Sequence, residues 1–590
     1  MKRLFAKLRN IIGTSVLLLF FVGILIGLIQ WITKPRVPDR LFLEVDFEQE
    51  FVEHLPDDPL ARAFLVDKAD LLDTVETLER AGNDERVVAL IGRIGADSLD
   101  PATSQKLRDA ILAFREKGKK AIAHAETFGE NRAANQAYYL ASAFDEIYLQ
   151  PSGMVGLTGL LSENVFLRGS LDKLGVVPRL DHREEYKSFK NLFTERQLTE
   201  AHEKAARAIV DSLFEQMVKG IGEGRKLSKQ RVEKLFEQGP FLADEALRNQ
   251  LIDGLSYRDE IYAKIREEFG DETKPLYLDT YSERIGQPDN QGNTIALVYG
   301  TGFIRRGDSG YDPVFAGLVM GSATVTAALR AAAKDQAVKA ILFRINSGGG
   351  SYVASDSIWR EVVRARQAGK PVVVSMGDVA GSGGYFVAVA ADKIVAQPAT
   401  LTGSIGVVGG KMVTSDFWEK LGVNWGNIAT SANATFWSGR QDYTDEEWAR
   451  LQTWLDYVYK DFMARVAKGH HLPLEQVQNI AKGRAWTGKD AKQLGLVDEL
   501  GGFPVALRLA RQVASLAADA PIRLKLFPEE KSRLRQLLEK KPASSEQEIV
   551  MPTLHRTLTA IQPDLQVLRD LGLLMADPQP LMMPLRNQSD

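Results

Sequence analysis

The chain has 590 residues, 74 Lys and Arg against 77 Asp and Glu, 45% hydrophobic residues and no cysteine. This composition excludes a disordered chain and a polytopic membrane protein, and the balanced charge leaves no cationic excess for nucleic acid. The lack of cysteine excludes disulfides, thiol catalysis, zinc fingers and iron–sulfur ligation, and at roughly 150 residues per domain the length allows up to about four domains.

The first predicted element is a membrane helix. Ile11–Ile32 carries no charge, and at ~1.5 Å per residue it spans a hydrocarbon core of ~30 Å. The run is longer than a signal-peptide core and no small-x-small cleavage site comes after it, so residues 1–34 read as an uncleaved anchor. Lys2, Arg3, Lys7 and Arg9 favour a cytoplasmic N-terminus, a bias weakened by Lys34, Arg36 and Arg40. Everything from about Pro35 is then expected outside the cytoplasm, which in a bacterium is the periplasm.

Beyond the anchor, one unit is written twice. YYLASAFDEIYLQPSGMVGLTG from Tyr138 resembles YFVAVAADKIVAQPATLTGSIG from Tyr385 at a constant offset of 247 residues. VVALIGRIG at Val87 resembles VKAILFRIN at Val338, and the helical stretch from Leu198 parallels that from Tyr443. Short apolar strands, Leu41–Phe47 and Thr294–Tyr299 first in each copy, alternate with helices, the pattern of an α/β fold. The expected boundaries are a first repeat at 41–281, a polar linker at 282–293, a second repeat at 294–516 and a tail at 517–590 with a charged helix at Glu529–Lys541.

Two glycine-rich turns of the second repeat carry the chemistry. Ser347-Gly348-Gly349-Gly350-Ser351 ends the strand AILFRIN, where glycines let backbone N–H groups approach a ligand closely. Ala380-Gly381-Ser382-Gly383-Gly384-Tyr385 ends the next strand, PVVVSM, and sets a hydroxyl at the start of a buried helix, where negative charge is favoured. It resembles a G-x-S-x-G elbow with Ala380 in the first position. Together the turns can supply a nucleophile and an oxyanion hole.

None of the seven histidines stands out as a base: His124 reads as packed, and His470 and His471 as part of a polar loop after a helix. No H-E-x-x-H or paired-carboxylate spacing supports a metal. A lysine whose pKa falls on burial can replace histidine. The first repeat has Asn135 where the second has Ser382, but it carries Glu184-Glu185-Tyr186-Lys187-Ser188, for which Ser431-Ala432-Asn433-Ala434 offers no lysine. This division suggests a composite site between the halves, although from the residues alone Lys187 reads slightly better as one exposed lysine among many. Gly483–Asp490, GRAWTGKD, imitates a P-loop, but Asp490 stands where a hydroxyl is needed and GPFLADEA is its first-copy counterpart, so it reads as a shared structural element.

The anchor, RINSGGGS, VAGSGGYF, LTGSIG and EYKS together resemble the signal peptide peptidase A, or protease IV, family in its long duplicated form, over about Leu41–Ala517. The resemblance implies tandem ClpP/crotonase-like α/β domains after one N-terminal transmembrane helix. It implies a serine endopeptidase without cofactor or metal, a homotetramer on the periplasmic side of the bacterial inner membrane, acting on signal peptides or other hydrophobic peptides and not on nucleic acid. It further implies Ser382 as nucleophile, Lys187 as general base, Ser404 as the residue orienting the lysine, and Gly349, Gly350 and Gly383 as oxyanion donors. The family has proline where this chain has Gly348, which is expected to loosen the oxyanion loop. The alternatives are a crotonase-like acyl-CoA enzyme, which would not need Ser382, and a non-catalytic membrane scaffold.

Overall fold

The computed structural model describes residues 36–54, 65, 68–95, 99–130, 132–286, 291–312, 317–528 and 581–582. The expected membrane segment Ile11–Ile32 and tail helix Glu529–Lys541 lie outside them. Among the described residues no helix is long and apolar enough to cross a membrane.

Each repeat builds one largely parallel sheet. The first runs Gly254–Leu255, Glu146–Leu149, Lys120–Ala125, Val87–Arg93, Leu41–Asp46, Lys274–Tyr277. The second runs Ala485–Thr487, Leu401–Gly403, Val372–Gly381, Val338–Ser347, Asn293–Thr301, Ile522–Phe527, with Lys393–Ala396 and then Glu499–Leu500 branching from Val372–Gly381. Helices cover both faces, which is why the strands read as unbroken apolar runs. Val325, Leu329, Ile358 and Val362 of the helices Ser322–Lys334 and Tyr352–Gln367 fill one side of the second sheet. Ala506, Leu509 and Ala510 of Phe503–Val513 cover Leu297, Leu342 and Val373 on the other.

Two expected boundaries move. Ser282–Ile285 complete a helix, Leu278–Ile285, because Tyr281 is buried in the first core, and the next strand starts at Asn293, so the linker is shorter than 282–293. The second sheet continues past residue 516, since Ile522–Phe527 pairs in parallel with Asn293–Val298. That edge strand repeats the place of Lys274–Tyr277 beside Leu41–Glu44 in the first sheet. KPLY and IRLKLF share no sequence that would have shown it.

Contacts between the halves fix the site. Val177–His182 of the first repeat pairs antiparallel with Val408–Val413 of the second. Thr103 donates its N–H and its hydroxyl to the Asp378 carboxylate, both at 2.7 Å. Buried Glu53 accepts from Lys106 at 2.8 Å and from Arg344 at 2.7 and 2.8 Å. Burial would raise the Glu53 carboxyl, but the charges and hydrogen bonds of Arg344 and Lys106 hold it at about 2. Arg344 also donates to Ser375 Oγ at 2.6 Å and Met376 O at 2.7 Å, joining the two strands that end in the glycine turns.

Candidate active site

Ser382 ends the strand Val372–Gly381 and opens the helix Gly383–Ala388 with φ 52° and ψ −116°. A positive φ in a non-glycine residue costs about 1–3 kcal/mol and persists only where its surroundings enforce it. Here the Ser382 N–H donates to Gly403 O and its carbonyl accepts from the Phe386 N–H, both at 2.8 Å. The turn also requires glycine on its far side: a Cβ on Gly384 would lie 2.3 Å from Ser347 O, and one on Gly383 would lie 3.1 Å from Gly349 Cα and Gly350 N. The two glycine turns therefore abut.

Lys187 arrives from the first repeat. It lies just after the strand Val177–His182, whose pairing with Val408–Val413 carries the loop over the LTGSIG turn. Its Nζ lies 2.8 Å from Ser382 Oγ, 2.9 Å from Ser404 O and 3.0 Å from Ser404 Oγ. Lys187 is 0% exposed, as is Ser382, so the reading of an exposed lysine is overturned: the composite packing of the two repeats encloses it. Among the described residues no carboxylate pairs with it, and burial pushes its amine well below the ordinary lysine range. A neutral amine has two N–H donors and one lone pair. In that form, with the donors on Ser404 O and Oγ, the lone pair would be left for the Ser382 hydroxyl.

Ser404 is itself held at φ 51° and donates its N–H to Arg484 O at 2.8 Å. Ser404→Ala keeps that backbone bond but frees one amine N–H to rotate. It is expected to lower kcat by about 10²-fold through misalignment of the lone pair, with KM little changed, as steady-state kinetics will show.

The three glycines expected as oxyanion donors are brought together but are not equivalent. Gly349 N–H donates to Ser347 Oγ at 3.2 Å. Ser351 N–H donates to Ile304 O at 2.9 Å, so strand alternation turns the Gly350 amide to the opposite edge, beside Gly383. The Gly383 N–H lies in the first turn of its helix, where no intrahelical acceptor exists. Gly349 and Gly350 have φ of 113° and 150°, whereas Gly348 keeps a negative φ, so backbone handedness does not demand glycine at 348.

Other expectations resolve in packing. His470 is the last residue of the helix Asp445–His470, not part of a polar loop, and its Nε2 lies 2.8 Å from the Tyr385 hydroxyl. Asn135 accepts from the N–H groups of Thr158 and Gly159 at 3.0 and 3.2 Å, tying down the first copy's own turn. Two glycines that press on Lys187, Gly406 and Gly483, were not read as functional. The signal for Gly483 was its match to Gly239, whose added Cβ would lie 1.9 Å from Leu157 O.

The profile of peptidase family S49 matches residues 113–270 and again 364–517. A protein named Protease 4 from Salmonella typhi is 33% identical over 458 residues, covering 76% of this chain and 72% of its own. A Protease 4 from Haemophilus influenzae is 31% identical over 477 residues, covering 77% and 75%. Among solved structures, a ClpP1 mutant from Listeria monocytogenes aligns with 36% of this chain and 94% of its own at 14% identity and a TM-score of 0.23, too slight a likeness to establish a fold.

Proposed function

The chain belongs to peptidase family S49 and is a serine protease, and on that premise we propose that Ser382 is its nucleophile and Lys187 its general base. The observation that carries the assignment is the 2.8 Å contact between Lys187 Nζ and Ser382 Oγ, both buried. Ser382 Oγ attacks the scissile carbonyl as Lys187 takes its proton, and the N–H groups of Gly350 and Gly383 receive the developing oxyanion, with Gly349 shaping the turn. The lysine ammonium then protonates the leaving amine, and the recovered amine draws a proton from the water that releases the acyl group. Ser404 keeps the amine aligned throughout.

The proposed substrates are extended apolar peptides, cleaved signal peptides among them, met at the periplasmic face of the inner membrane by an enzyme anchored through Ile11–Ile32. The chain itself supports an extended ligand, because Leu581–Met582 lies antiparallel along Gly349–Gly350. Strand addition to a sheet edge is a general mode of peptide recognition. The proposed architecture is a pair of ClpP/crotonase-like domains in a homotetramer. Leu161 at 82% exposure and Ile428 at 103% offer apolar surface for such contacts.

The full chain in detergent is expected to cleave a synthetic signal peptide and to leave acyl-CoA untouched. Acyl-CoA turnover without peptide cleavage would favour the crotonase-like alternative. The paired tail adds a second expectation. An intramolecular occupant competes at high effective concentration, so a chain ended at Pro528 should show a lower KM for short peptides at unchanged kcat. An unchanged KM would place the tail outside the substrate path.

A further inference from the structure

We propose that Lys482–Arg484, the opening of the GRAWTGKD stretch, is a clamp that positions the general base, with Gly483 as its decisive residue. The clamp rests on the Lys187–Ser382 assignment and gives a role to a motif that the catalytic steps leave unused.

The clamp touches both partners of the amine. Lys482 O accepts from the Tyr186 N–H at 3.1 Å, on the segment that carries Lys187. Gly483 N–H donates to Ile405 O and Arg484 O accepts from the Ser404 N–H, both at 2.8 Å, on the turn that carries Ser404. Three consecutive backbone units thus bridge the loop of one repeat to the turn of the other. On the outer side, Lys482 Nζ lies 3.6 Å from a Glu185 carboxylate oxygen, and the Arg484 guanidinium lies 4.2 Å from the Trp486 ring centroid and 5.4 Å from that of Tyr186.

Gly483 acts at two points. Its φ is 74°, and a Cβ there would lie 2.6 Å from Lys187 Cβ and N and 2.8 Å from Lys187 Cα. No side chain fits that gap unless the lysine segment moves. Its carbonyl accepts from Ser404 Oγ at 3.4 Å. A Ser404 hydroxyl that donates to Gly483 O must receive, not give, in its contact with Lys187, which leaves the lysine lone pair facing Ser382. From the other side a Cβ on Gly406 would lie 2.9 Å from Gly483 Cα and 3.2 Å from Lys187 Cδ. The lysine stem is therefore gripped between two glycines.

The same wall excludes water from the amine. The charged groups on the elements around it are Arg183, Glu184, Glu185 and Lys190 on its own segment and Lys482 and Arg484 on the clamp, with none on the turn 404–407 or the helix Gly383–Ala388. Arg183 pairs with Asp456 and Lys482 with Glu185, and among the described residues none of these groups pairs with Lys187. Burial is the cause of its lowered proton affinity, so a gap in the wall moves that affinity back toward the ordinary value of about 10.4.

The test compares Gly483→Ala, Gly406→Ala and Gly369→Ala in the full chain. Gly369 has φ 78° and nothing within 4 Å of an added Cβ, so it controls for backbone strain alone. Each variant is measured for thermal stability, for kcat and KM on a short peptide, and for the pH dependence of Ser382 labelling by a fluorophosphonate. Gly483→Ala is expected to lose about 10²-fold in kcat with little change in KM, and its acid limb of labelling should move to higher pH. Gly406→Ala should move the same way by less, while Gly369→Ala loses stability but keeps kcat and the acid limb. If Gly483→Ala does not fold, Gly406→Ala, whose φ is not positive, decides alone. Folded Gly483→Ala and Gly406→Ala proteins with wild-type kcat and acid limb would overturn the clamp. Full activity in Lys187→Ala or Ser382→Ala would instead overturn the dyad beneath it.

Discussion

Ser382→Ala is expected to abolish peptide hydrolysis, a loss on the order of 10⁶-fold in kcat, with the fold and KM retained. The substitution removes one oxygen and no backbone contact: the Ser382 N–H still donates to Gly403 O, and the positive φ costs alanine no less than it costs serine. The buried amine keeps Ser404 O and Oγ as partners. What disappears is the atom proposed to form the acyl-enzyme. Wild-type chain should gain the mass of one phosphonyl group on reaction with a fluorophosphonate, on the peptide containing Ser382, and the variant should gain none. Because the amides of Gly350 and Gly383, the proposed oxyanion donors, remain, binding and a small residual rate over water are expected to survive. Hydrolysis at the wild-type rate would require another nucleophile and would overturn the assignment of Ser382.

The serine was legible because sterics wrote its surroundings into the sequence. Gly383 and Gly384 are glycines because Gly349, Gly350 and Ser347 crowd them, so two neighbouring strands that end in glycine runs mark two turns in contact. The duplication was legible for the same kind of reason, since both sheets bury the same apolar strands and repeat them in order. Lys187 was harder. Nothing in EEYKSFK distinguishes a buried amine from an exposed one, because its burial is made by Val177–His182 pairing with a strand over 200 residues away. Gly483 was harder still, since the role proposed for it depends on a space only Lys187 fills. The edge strand Ile522–Phe527 escaped because an edge position tolerates any alternating sequence, so the two copies diverged there.

Lys187→Met is expected to remove activity by about 10⁴- to 10⁶-fold and to change the pH dependence of stability in a direction that can be worked out in advance. In the unfolded chain the lysine titrates near 10.4, and in the native state burial holds it well below. Between the two values the unfolded state binds one proton more than the native state, so stability rises with pH across that window. Below the native value the full cost of burying the amine is present, and above about 10.4 it is gone. Methionine keeps the aliphatic length between Gly406 and Gly483 but has no proton to bind, so its stability lacks this rise. Denaturation midpoints at pH 7 and pH 10 should therefore show wild type gaining on the variant as pH increases. The kinetic counterpart has the same origin: wild-type kcat/KM climbs with pH as the amine loses its proton, and the variant has no such limb. A methionine variant that kept the limb would show that another group takes the proton from Ser382. A wild type whose stability did not gain on the variant's as pH rises would show that burial does not lower the proton affinity of Lys187.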